Sequence, residues 1–481
     1  MKKSWLNFIC ILLCILIPVV TVVSLGFLLP SQFDMTFLGE LSPKVERLYS
    51  VDEPKIVIIG GSSVPFGVDS KLMEEALGMP VVNFGLYATL GTKMMLDLSR
   101  GAINEGDIIV IAPETDAQTY SLYFNSEAAW QACDSDFSLL FKISGDNATA
   151  MLGGFWKYTV QKTKYFFVKE HLNPEGVYNK ASFDEYGNIV YERPYNQMTL
   201  GYDTSLVIKY SSEIISCDFV EYVNDYVEYA KSKGARVLFS FAPSNEDALD
   251  PETTLESLEE FTDFIKTNFK AELISDPNNY IYRSGYFYDS NFHMNDAGMV
   301  VHTANLANDI ANALGKELLK EIEIPDVPEK PDIPDVYDYD ENEKYFVFDE
   351  IYSGGNVAGY AVKGLSELGK AQSTLTTPKA YNGKLVASIR ENAFNGAETL
   401  SELFVTENIN QINDGAFKNT PKLKKIHILA KDPNMTTVNN LSGGLTEGMA
   451  DDAYFYVASS SYDEFSANYF WGVYSARLRP E

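Results

Sequence analysis

Between residues 55 and 320, short apolar runs alternate with amphipathic stretches, and this alternation limits the fold more than any other feature of the chain. KIVII (55–59), PVVNF (80–84), DIIVIA (107–112), RVLFSFA (236–242) and AELIS (271–275) read as buried strands. SKLMEEAL (70–77), a stretch from Asp218 to Lys233 stopped by Gly234, residues 253–268, and a run from about Asn295 to about 320 read as helices. Strands and helices in turn predict an α/β unit with a mainly parallel, doubly wound sheet. Residues 117–215 interrupt the alternation with far more chain than a connection needs. Their aromatic residues, including Tyr120, Tyr123, Trp130, Trp156 and Tyr158, fit either a lid over a substrate or a small helical subdomain with its own core. The subdomain reading is preferred, with part of the insertion bordering the site.

The first residues set the compartment. Lys2 and Lys3 precede an apolar stretch, Trp5–Leu29, and no further charge occurs before Asp34. That length is enough to cross a bilayer, and lysines ahead of it favour a cytoplasmic N-terminus. We therefore expect residues 1–30 to be a transmembrane signal-anchor, with a cleaved signal peptide as the alternative, 31–54 a juxtamembrane connector, and the remaining chain to lie outside the cytoplasm, at the bacterial cell surface. A net charge of −29 excludes nucleic acid as a partner, because nothing here would neutralise a phosphate backbone. Cys10 and Cys14 fall in the apolar segment; Cys133 and Cys217 could pair or remain free thiols. No His/Cys cluster has metal-ligand spacing, and neither phosphate-loop motif is present, so no cofactor is expected.

Residues 321–343 hold ten acidic residues and one lysine, with Pro325, Pro328, Pro331 and Pro334 at a spacing of three. This reads as a semi-rigid linker of roughly 60–70 Å at about 3.1 Å per residue. Beyond it, a 23-residue period aligns Val386/Ile409, Ile389/Ile412, Ala393-Phe394/Ala416-Phe417, Leu400/Leu423, Leu403/Ile426 and Val405/Ile428. An apolar period of this length signals a short leucine-rich-repeat solenoid over 344–481. The two repeats resemble the BspA-type leucine-rich repeats of bacterial surface proteins. LTTPKAYNG (375–383) reads as a degenerate preceding repeat, and residues 453–474 as a closing strand and helix.

Two segments carry the chemistry: GGSSVPFG (60–67), after the first strand, and DSNFHMNDAG (289–298), before the last helix. A serine between a parallel strand and the next helix sits at the carboxyl edge of the sheet, where open α/β folds place their sites. Of four histidines, His171 lies in the insertion, His302 inside the last helix and His427 among the repeats, which leaves His293 as base. Asp289 is the candidate orienter of His293, whereas Asp296 reads as helix-start chemistry.

Gly61-Ser62-Ser63 and Gly67 resemble the first block of the SGNH/GDSL hydrolases, and VVNFGLYATLG (81–91) their second. The resemblance covers 55–320 apart from the insertion. It implies Ser63 as nucleophile, His293 as base, Asp289 as orienter, and the Ser63 and Gly85 N–H groups as oxyanion donors. It also implies a serine esterase or O-acyltransferase acting on O-acyl groups, chiefly acetyl, of an envelope or extracellular glycan. Three departures stand out: Ser62 replaces the family's Asp, Asp289 stands four rather than three residues before His293, and PETDAQ (113–118) lacks the oxyanion Asn. Glu114 or Asp116 would instead lie near the site. A rival reading follows from the missing Asn: a catalytically degenerate surface protein whose repeat domain binds a protein or glycan.

Overall fold

The computed structural model describes residues 2–143, 145–168, 173–174, 176–198, 200–204, 206–328, 340–353, 356–438, 444–468 and 470–481. Its centre is a five-stranded, all-parallel sheet in the order β2-β1-β3-β4-β6. The strands are β1 (Ile56–Gly60), β2 (Val81–Gly85), β3 (Ile108–Ile111), β4 (Arg236–Phe239) and β6 (Glu272–Leu273). Strands buried on both faces need continuous apolar runs, and β1 and β3 are buried at every position. One face, carrying Ile56, Ile58, Val81 and Val110, packs on α4 (Ser70–Leu77) and α10 (Asp296–Ala313). The other, carrying Val57, Ile59, Phe84 and Ile111, meets α2 (Leu41–Ser50), α5 (Thr92–Ser99), α8 (Cys217–Ser232) and α9 (Leu255–Asn268).

Local chemistry places the helix ends. Asn295 caps α10 by accepting from the Gly298 N–H, as its position suggests. α8 starts at Cys217, one residue before the Asp218 at which the sequence pattern begins, and its cap is Ser216. Ser216 accepts from the Phe219 N–H, and Asp218 lies in the first turn, where its charge suits the helix dipole.

α1 (Lys2–Leu28) is long and apolar enough to cross a membrane. Its final turn packs on the insertion helix α7 (Gly145–Val168), where the Tyr158 hydroxyl and Lys162 Nζ both donate to Gly26 O. Around Phe27 the insertion gathers Trp130, Phe137 and Phe155, while Trp130 stacks on Tyr158. The insertion thus shares one core with the connector after α1, through Phe33 and Phe37, and with the α/β unit. Cys133 is buried within it and Cys217 is exposed; both are free.

The C-terminal unit opens on an antiparallel hairpin, β8 (Phe346–Ser353) and β9 (Asn356–Leu365), which the repeat pattern does not announce. β9 continues in parallel to β12 (Lys384–Ile389), and β12 to β14 (Gln411–Ile412). A second sheet runs β10 (Thr374–Thr376), β13 (Glu402–Val405), β15 (Lys425–Ile428), β16 (Tyr454–Val457) and β17 (Leu478–Pro480), all parallel. The 23-residue period is the register itself: Ser388 pairs with Gln411, and Leu403 with Ile426. Phe394 and Phe417 pack between the layers with ring centroids 5.6 Å apart.

This unit docks on the α/β unit. Ile351, Ala361, Leu385 and Ala387 join the core of the larger unit, and Arg390 reaches Thr204 O at 3.4 Å. Residues 329–339 of the expected spacer lie outside the described residues. On its near flank the chain packs back: the Leu319 N–H donates to Ala76 O, and the Tyr286 hydroxyl to Pro325 O.

Leu403 and Ile426 are fully buried partners in the second sheet. Leu403→Ala should destabilise the chain by about 2–5 kcal/mol, read as a lower denaturant midpoint, while Lys425→Ala, at an exposed site, should change it little.

Candidate functional site

The strand order reverses at β1, so the connections leaving β1 and β3 diverge and open a crevice at the sheet's carboxyl edge. The turn after β1 enters α3 (Ser63–Gly67), and the segment after β3 carries Glu114 and Asp116. The third wall is the 285–295 loop. Asn291 Nδ2 holds it to Asp203 O and Leu206 O, and Asn295 Nδ2 donates to Gly285 O and Phe287 O.

These walls bring together a hydrogen-bonded Ser–His–Asp chain. His293 Nδ1 lies 2.8 Å from Asp289 Oδ1, and His293 Nε2 lies 2.8 Å from Ser62 Oγ. An ionised Asp289 only accepts, so Nδ1 carries the ring proton and Nε2 faces the serine as an acceptor. The other Asp289 oxygen accepts from the Tyr178 hydroxyl at 2.7 Å. Phe66 stacks on the imidazole with centroids 3.9 Å apart and planes 6° from parallel, which fixes the ring orientation.

The serine that meets His293 is Ser62. Ser63, the residue indicated by the family spacing, is the first residue of α3, and its Oγ is buried without a hydrogen-bond partner. Successive side chains on a helical turn diverge by about 100°, so only one of two adjacent serines can face the imidazole. Both fit the Gly-Ser-Ser motif, and nothing local in the sequence separates them. Asp289 reaches His293 across the four-residue spacing. Ser290, at the family's spacing, instead accepts from the Phe292 N–H. Asp296 pairs with Arg193 at 3.3 Å, away from the imidazole.

Gly85 lies behind the turn. A Cβ there would stand 2.4 Å from Val64 Cβ and 2.6 Å from Gly61 O, so the absence of a side chain lets the turn settle on β2. The Ser63 N–H, the other expected donor, is occupied: it donates to Glu114 Oε1 at 2.8 Å, and Ser62 Oγ lies 3.3 Å from the same oxygen. A charged carboxylate here opposes a developing oxyanion. Asp116, close by, is pushed up to about 6 by burial and by the charge of Glu114. Of the other histidines, His302 is buried against Tyr282 and held neutral, and His427 bonds Glu402 and Glu481; His171 lies outside the described residues.

The crevice is a cavity of about 840 Å3. Its floor holds Ser62, Glu114 and His293, and the C-terminal unit closes one side with Glu391, Asn413, Asp414 and Phe470. Phe470 meets Tyr178 edge-on at 5.1 Å, so the partner of Asp289 is itself braced by the C-terminal unit. Carboxylates at 114, 116, 203, 289, 391 and 414 line the cavity, with no lysine or arginine among the lining residues. Among the described residues no cluster could hold a metal ion. Compared with known proteins, the chain matches no protein-family model and no curated protein.

Asp116 gives the site a pH signature. Its carboxyl takes up a proton more readily folded than unfolded, so this contribution to stability is full below pH 4 and lost as pH rises through about 6. In Asp116→Asn the acceptor for the Gln118 and Thr119 N–H groups is kept. Relative to wild type, the variant should gain roughly 2 kcal/mol between pH 4 and pH 7, measured by denaturant unfolding at each pH.

Proposed function

We propose that the protein is an extracytoplasmic serine esterase or O-acyltransferase of SGNH type, held at the membrane by α1, with a short leucine-rich-repeat solenoid completing its substrate cavity. The observation that carries this reading is the chain Ser62–His293–Asp289, with both hydrogen bonds at 2.8 Å. In this reading Ser62, not Ser63, is the nucleophile. His293 Nε2 takes its proton as Oγ attacks the acyl carbon, and Asp289 with Tyr178 holds the ring and stabilises the imidazolium. Collapse of the adduct breaks the acyl–oxygen bond, and His293 returns the proton to the departing sugar hydroxyl. Water or an acceptor hydroxyl, deprotonated by His293, then attacks the acyl-Ser62, and its cleavage restores the Ser62 hydroxyl.

The cavity walls narrow the substrate. The many carboxylates that line the cavity disfavour uronates, phosphates and other anions, and suit an uncharged or amine-bearing glycan. Tyr87, Tyr123, Phe292 and Phe470 offer apolar faces for sugar rings. The substrate proposed is an O-acylated, most simply O-acetylated, glycan without negative charge.

One observation favours the rival reading of a binding protein with an idle site: the Glu114 carboxylate sits on the Ser63 N–H. A fluorophosphonate probe applied to the full chain separates the two. Labelling lost in Ser62→Ala and in His293→Ala, and retained in Ser63→Ala, is expected. Labelling that survives Ser62→Ala would end the assignment.

Glu114→Gln tests the oxyanion argument. The amide keeps the shape, removes the charge, and adds a donor beside the attacked carbon. Labelling at pH 7 should accelerate by roughly tenfold or more, given the cost of lacking one oxyanion donor. Slower labelling would instead assign the carboxylate a direct part in the chemistry.

A further inference from the structure

The insertion helix α7 carries an apolar stripe that the fold does not cover. Leu152 is 75% exposed, Trp156 61%, Val160 50% and Phe167 72%. At about 100° per residue these four fall within an arc of roughly 80°. They are therefore one stripe, not scattered surface residues. Phe141, in the turn before α7, is 91% exposed as well.

The neighbouring face of the same helix receives α1. A Cβ on Gly26 would lie 2.4 Å from the Phe155 ring and 2.7 Å from Thr159 Oγ1, so the two helices meet at close range. Phe155 and Thr159 border the stripe in the helical projection, one step around from Leu152. α1 is 27 residues long, about 40 Å of helix against a hydrocarbon core of about 30 Å. Gly26, in its last turn, therefore falls at the boundary between hydrocarbon and head groups when the apolar stretch fills the bilayer. Phe155 and Thr159 meet Gly26, so the part of the stripe beside them is near that same depth.

We propose that α7 is a membrane-seating helix. It lies in the head-group region of the leaflet from which α1 emerges, with Leu152, Trp156, Val160 and Phe167 turned into lipid. The composition suits the location: an indole prefers the interface, and the exposed Lys157 follows on the polar side, where its amine can reach head groups. The α/β unit would then be held at a defined height and tilt above the bilayer, since α7 adds a second contact with lipid to that of α1. The inference rests on α1 entering the membrane and is independent of the chemistry assigned to Ser62.

Tryptophan quenching tests it on the full chain in phosphatidylcholine vesicles containing lipid brominated near the head group. Trp5 reports α1 and Trp156 reports α7; the emission of each is isolated as the difference between wild type and Trp5→Phe or Trp156→Phe. Both substitutions are at exposed positions. The Trp156 component is expected to fall by about twofold or more in brominated lipid. If the Trp5 component is quenched and the Trp156 component is not, α1 is inserted and the seat is wrong; a protein, rather than lipid, would then be the cover. If neither is quenched, the insertion of α1 fails and the proposal falls with it.

Discussion

The arrangement around Ser62 depends on how closely backbone can approach backbone at the end of β1. A Cβ on Gly60 would stand 2.5 Å from Ala112 O, and one on Gly85 would meet Gly61 O and Val64. Any side chain at these places would lift the turn off the sheet. With the turn seated, Ser62 points to the crevice between the connections from β1 and β3, and the 285–295 loop arrives from the opposite side at hydrogen-bond distance. A displacement of even about 1 Å would stretch both 2.8 Å hydrogen bonds beyond normal length, so the hydrogen-bonded chain inherits its precision from steric room two residues away.

The same seating produces the site's internal conflict. The segment leaving β3 runs beside the turn and delivers Glu114 to the Ser63 N–H. The contact satisfies a buried donor and a buried carboxylate together, so it stabilises the resting structure. It also places negative charge where the proposed acyl transfer would develop more. The burial of Asp116 next to Glu114 belongs to the same crowding, since two adjacent buried carboxyls cannot both ionise cheaply.

A composition of prolines and like charges suggests an independent repeat module at the end of a long spacer. The described structure has the module docked, through Arg390 on Thr204, Tyr165 on Gly472 and Phe470 on Tyr178. A linker's composition sets its stiffness and reach, but not whether the domains it joins have complementary surfaces. The residues that make the interface read in sequence as ordinary core and loop positions. The cavity is therefore shared between the two units, and its acidity comes from both.

Much of the architecture is legible in the sequence because it arises from local periodicity. The apolar runs place the five strands to within a few residues, the 23-residue spacing is the parallel register of the second sheet, and α10 begins where the helical run in the sequence begins, beside Asn295. The choice of His293 also needs only position, as the one histidine ahead of the last helix. What the sequence could not decide concerns contacts between distant segments. Ser62 and Ser63 are equivalent in a short motif, and only the direction in which the helical turn presents each one selects Ser62 for His293. Tyr178, 111 residues from Asp289, and Phe470, in another unit, carry no motif at all. Periodicity is set by each segment's own backbone and so is written locally, whereas the approach of a hydroxyl, an imidazole and a carboxylate depends on packing that exists only once the chain has closed on itself.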